Sequence, residues 1–157
     1  MAPKTVLVMR HAEKLADPMN PDLSDAGLRR ASLLTTWLPH RFGQLDFLFA
    51  SSISKHSARP FETIKPLAKQ LGLPIDATFA DQDYGALAHE LLTGTRYVNA
   101  VVLVCWHHGN IPSLVSDLKA VSGQYPDPWD REVFNLVLQL DYGTEDKPSI
   151  TLVTEPF

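Results

Sequence analysis

The sequence has one cysteine, Cys105, so no internal disulfide framework can hold the fold. No apolar run approaches the ~20 residues of a membrane span. The apolar stretch near the start, Val6–Met9, is too short for a secretory signal and no cleavage site follows it. A cytoplasmic protein is therefore expected. There is no excess of positive charge: 14 Lys plus Arg stand against 18 Asp plus Glu, a net charge of −4. That balance argues against a broad nucleic-acid or anionic-membrane surface, while leaving room for a local basic pocket. Internal repeats, low-complexity tracts and linker-like shifts in composition are also missing. What is present is 157 residues, 45% of them apolar. One domain spanning residues 1–157 is expected, of a size that buries about 70% of its unfolded surface.

Short apolar or β-branched runs predict strands at Thr5–Met9, Asp46–Ala50, Val101–Trp106, Val133–Asp141 and Ile150–Thr154, with a weaker one at Ile75–Phe79. Helical patterns lie between them. Ser24 is placed to cap Asp25–Leu38. Pro60–Leu71 is followed by Gly72, where a helix-ending glycine belongs. Tyr84–Leu92 and Ile111–Val121 complete the set, the latter with Pro112 in its first turn and ending before Gly123. Alternating strands and helices predict an α/β fold: a three-layer α/β/α sandwich around a mainly parallel sheet. Val6–Met9 and Val101–Cys105 are apolar without alternation, as central strands covered on both faces should be. The last two runs, joined by residues 143–148, predict an antiparallel hairpin at one edge.

In open α/β sheets ligands bind beyond the carboxyl ends of the strands. The first strand ends in Arg10-His11. The second ends in Ser51-Ser52, with Arg59 soon after. The weak strand ends near Asp81, and the Val101 strand in His107-His108-Gly109-Asn110. Arginines, histidines and a carboxylate would meet on one rim. That set suits phosphoryl transfer. Arginine forks and histidine N–H groups match the oxygens of a transferring phosphoryl group. A neutral imidazole can attack phosphorus in line, and a carboxylic acid can protonate the leaving oxygen.

The segment Val6-Leu-Val-Met-Arg-His-Ala-Glu13 resembles the signature of the histidine phosphatase superfamily, which includes phosphoglycerate mutases and short phosphohistidine phosphatases. Leu23-Ser-Asp-Ala-Gly-Leu28 is similar to the family's LTxxG segment, and Arg59-Pro-Phe-Glu-Thr63 to its RAxxT. Asp81-Gln-Asp-Tyr-Gly-Ala-Leu87 is similar to the mutases' ERxYGxL, and Val102–Asn110 to the strand that delivers the second histidine. Each motif is weak alone; their order along one chain gives the resemblance its weight. It implies a phosphoglycerate mutase-like fold and a phosphatase of small phosphomonoesters. His11 would be the nucleophile, Arg10, Arg59 and His108 the phosphate pocket, and Asp81 the general acid and then base. No cofactor and no metal are implied.

The chain departs from the family pattern in places. Proline follows Arg59, the Ser52-to-Arg59 spacing is long, and Asp81 is one methylene shorter than the mutases' glutamate. Asp83 is the alternative acid. Cys105-Trp-His-His-Gly-Asn-Ile-Pro112 resembles a subgroup pattern, CWEHxxIP, that selects His108, whereas the general family register selects His107. Adjacent strand residues point to opposite faces, so one of the two histidines is expected in the pocket. Cys105 reads as a small core residue, since a lone cysteine without a second ligand pair does not make a zinc site. The mutases' longer insertions cannot fit in this length, so mutase activity is not expected. Alternatives are a protein phosphohistidine phosphatase or a phosphate-binding regulatory module with little turnover.

Overall fold

The computed structural model describes residues 2–157; Met1, the first residue of the expected 1–157 domain, lies outside the described residues. Strand β1 (Thr5–Arg10) is buried along its whole length, and β4 (Val101–Trp106) along nearly all of it. They pair in parallel, with Val6 opposite Val102 and Arg10 opposite Trp106. Their apolar residues do not alternate with polar ones because helices cover both faces of the sheet. Val6, Val8, Val102 and Val104 pack on helices α3 (Tyr84–Thr93) and α4 (Ile111–Asp117). Leu7, Met9, Leu103 and Cys105 pack on α1 (Asp25–Phe42) and α2 (Arg59–Leu71). Each large apolar side chain so buried contributes about 2 kcal/mol.

β2 (Phe47–Ala50) and β3 (Ile75–Asp76) extend the sheet in parallel on one side. β5 (Leu136–Asp141) and β6 (Ser149–Thr154) extend it antiparallel on the other. The strand order is β3-β2-β4-β1-β5-β6. This is the α/β sandwich with an antiparallel edge that the element pattern predicts. Among the described residues no helix is long and apolar enough to cross a membrane.

The boundaries differ from expectation for local reasons. Helix α1 continues through Pro39 to Phe42. Proline cannot donate to the carbonyl one turn back, but that carbonyl, on Thr35, accepts from Gln70 Nε2 of α2 at 2.7 Å instead. Helix α4 stops at Asp117 rather than Val121. Lys119 adopts φ 72°, and Ala120 N–H to Val115 O and Lys119 N–H to Ser116 O close a Schellman end without glycine. β3 ends at Asp76, whose Oδ1 accepts from both the N–H and the hydroxyl of Thr78. β5 starts at Leu136 rather than Val133, because the Val133 carbonyl accepts from the side chains of Trp129 and Arg10.

Candidate active site

Three parallel strands end on one rim. Arg10 is the last residue of β1, and Ser51 follows the end of β2. His107 follows the end of β4. The β1–β4 register continues past the strands through the His11 N–H, which donates to Trp106 O at 3.1 Å. His11 therefore lies level with His107, and their rings meet edge to face with centroids 5.3 Å apart.

The segment after β1 is held from two sides. Thr63 Oγ1, fully buried in α2, accepts from Ala12 N–H at 2.9 Å and donates to Arg59 O at 2.7 Å. On the other side the Glu13 carbonyl accepts both the N–H and the hydroxyl of Ser24, the residue that caps α1 through Gly27 N–H. Glu62 Oε1 accepts from Leu23 N–H, joining the start of α2 to the same segment. Gly27 is required by close approach: a Cβ there would lie 2.2 Å from Glu13 O. Gly27→Ala should therefore lower the unfolding free energy by about 2–4 kcal/mol. Urea denaturation is the check, and an unchanged midpoint would show that the His11–Glu13 segment yields freely.

Within this frame the imidazole of His11 is 2% exposed. Its Nδ1 lies 2.7 Å from Ala12 O. A carbonyl only accepts, so Nδ1 carries the proton and Nε2 carries the lone pair. Burial, with His107, Arg10 and Arg59 adding positive charge nearby, pushes its pKa down to about 2. The ring is thus a neutral base with a free Nε2.

Arg10 is nearly buried and lies under Phe134, its guanidinium carbon 3.9 Å from the ring centre. Its Nη1 donates to the Arg131 and Val133 carbonyls. Burial, then the charge of Arg59, lowers its pKa to about 10. Arg59 opens α2 and donates through Nη1 to Asn20 O at 3.0 Å. Burial lowers its pKa against the pull of Glu62 and Asp22.

Asp81 opens a 3-10 turn, Asp81–Asp83, before α3. Its charge acts on His107, whose pKa burial lowers and Asp81 raises. His108 was the histidine the subgroup pattern selected. His108 lines a cavity of about 560 Å3 together with Arg10, Lys14, Arg131 and Phe134, while His107 is the one whose ring meets that of His11. The meeting of His107 with His11 follows from the register of β1 and β4. Cys105 shares the α1/α2 face with Met9, and Trp106 faces α3 and α4. β4 ends at Trp106, and His107, the next residue, lies level with His11, which follows β1 in the same register. Asp83, the alternative acid, lies exposed at the end of the turn.

Four buried side-chain atoms lack a hydrogen-bond partner among the described residues: Arg10 Nε, Ser51 Oγ, Arg59 Nε and Asp81 Oδ1. Ser51 was not singled out from the sequence. The available signal was a polar residue directly continuing an apolar strand at its carboxyl end.

No protein-family model matches the chain, and no curated protein matches it. Solved structures do. The protein histidine phosphatase SixA, complexed with tungstate, is similar with TM-score 0.72 at 18% identity, covering 96% of each chain. A mycobacterial glucosyl-3-phosphoglycerate phosphatase with inorganic phosphate gives TM-score 0.62 at 15% identity, covering 97% of this chain and 96% of that one. Phosphoglycerate mutase from Plasmodium falciparum gives 0.60 at 15% identity, covering 99% and 92%. Strand order, the helices on both faces and the near-complete overlap give this chain the phosphoglycerate mutase-like fold of the histidine phosphatases.

Proposed function

We propose that the protein is a metal-independent phosphatase that hydrolyses a small phosphomonoester through a phosphohistidine on His11. The observation that carries this reading is the set of unpartnered buried atoms on Arg10, Arg59, Ser51 and Asp81. A buried polar atom without a partner costs about 1–3 kcal/mol. Two guanidinium N–H groups and a hydroxyl are the donors that the oxygens of a phosphoryl group accept. The phosphate and tungstate that accompany two of the similar structures support an oxyanion in this fold.

The residues have the following roles. Arg10, Arg59 and His107 hold the phosphoryl oxygens, with Ser51 as a further donor. His11 Nε2 attacks phosphorus as the bond to the leaving oxygen breaks. Asp81 gives a proton to that oxygen. The Asp81 carboxylate then takes a proton from water, whose oxygen attacks phosphorus. The N–P bond breaks, phosphate leaves, and His11 is neutral again.

Varying the leaving group tests the acid. Asp81→Asn should cost little in kcat/KM on p-nitrophenyl phosphate, whose phenolate leaves unaided. On an alkyl phosphate it should cost on the order of 10²-fold or more. Equal losses on both would move the role to Asp83. Because arginines and a histidine are assigned the charge stabilisation, activity should also survive prolonged EDTA treatment. A requirement for added divalent ion would contradict the mechanism.

A second reading is protein phosphohistidine phosphatase, favoured by the TM-score of 0.72 with SixA over nearly the whole of both chains. Turnover of a phosphohistidine peptide in preference to sugar phosphates would establish it. Binding of phosphate or vanadate with no turnover on any of these substrates would instead leave a phosphate-binding module.

A further inference from the structure

We infer that Asn110, together with Trp106, is a positioning residue for Asp81; the inference rests on the reading of Asp81 as proton donor. Asn110 stands at the N-cap of α4, where asparagine usually turns its side-chain oxygen onto the free N–H groups of the helix. Here it makes no capping bond. Its Nδ2 instead donates to the main-chain carbonyl of Asp81 at 3.3 Å, across 29 residues of sequence. The same carbonyl accepts from Trp106 Nε1 at 3.1 Å. Two side chains of the β4–α4 junction that also delivers His107 thus hold this carbonyl.

The clamp matters because little else holds the acid in place. Asp81 begins a three-residue 3-10 turn that has no side-chain cap, and so short a turn is weakly determined by its own hydrogen bonds. The carboxyl oxygen Oδ1 is buried without a hydrogen-bond partner among the described residues. Trp106, by contrast, is fully buried and registered opposite Arg10. Tying the Asp81 peptide to this rigid strand end sets where its carboxyl stands relative to His11. Proton transfer is sensitive to that placement: an error of ~1 Å can cost on the order of 10²-fold.

The test compares kcat/KM on p-nitrophenyl phosphate and on an alkyl phosphate for Asn110→Ser, Asp81→Asn and the double variant. Serine is a good N-cap but too short to reach the Asp81 carbonyl. Asn110→Ser should keep or raise the thermal midpoint while losing about tenfold more on the alkyl than on the aryl substrate. In the Asp81→Asn background it should cost nothing further on the alkyl phosphate, because it acts only through the acid. Trp106→Phe, which keeps most of the packing and removes the donor, should show the same leaving-group dependence if Asn110→Ser does not fold. A leaving-group-dependent Asp81→Asn beside an indifferent Asn110→Ser, or losses that multiply in the double variant, would overturn the positioning role alone. An Asp81→Asn that loses equally on both substrates would remove the acid reading, and this role with it.

Discussion

His11→Ala should lower turnover by about 10⁴-fold or more and abolish a covalent phosphoenzyme that rapid quench traps in the unsubstituted protein. The label should be acid-labile and base-stable, as a phosphoramidate is. The structure supplies the preparation that a histidine nucleophile needs. The Ala12 carbonyl accepts a hydrogen bond from Nδ1–H and so leaves the lone pair on Nε2. Thr63 and Trp106 fix the backbone on either side of the ring. Burial beside positive charge pushes the pKa down to about 2. For a base the sign is clear: the neutral, attacking form persists as pH falls, until the lowered pKa is reached. Between pH 4 and 8 the profile of kcat/KM should therefore show no inflection from protonation of His11, and any acid limb there belongs to another group or to the substrate. Label that persists in His11→Ala would place the covalent carrier elsewhere.

His107→Ala should cost about 10²–10³ in turnover, the usual loss for one positioned donor to the transferring group. His108→Ala should stay within several-fold of the starting enzyme. This reverses the expectation drawn from the subgroup pattern. His107 touches the His11 ring, with Asp81 and Arg59 both acting on its charge. His108 lines a cavity with Arg10, Lys14 and Arg131, a position suited to contacts with the rest of a substrate. Thermal midpoints of both variants would separate loss of the donor from loss of fold. A large loss at His108 with His107 near normal would restore the subgroup register.

Much of the architecture could be read from local chemistry. Short β-branched apolar runs without alternation fit strands covered on both faces, so β1 and β4 were legible as the centre of the sheet. The carboxyl-end rule then puts Arg10, His11 and the histidine pair on one rim. Ser24 and Gly72 marked helix ends because capping and left-handed turns depend on a few neighbouring residues. What stayed hidden depends on partners far along the chain. Pro39 breaks a helix in isolation and is tolerated here because Gln70, on another helix, serves the stranded Thr35 carbonyl. Val133 has strand chemistry, yet its carbonyl is taken by Arg10 and Trp129. Asn110 has a cap's position and turns to Asp81 instead. The choice between His107 and His108 is of the same kind. Periodicity gives a strand's alternation but not the residue at which alternation stops. Only the pairing of β4 with β1, carried one residue further by the His11 N–H on Trp106 O, decides which ring meets His11.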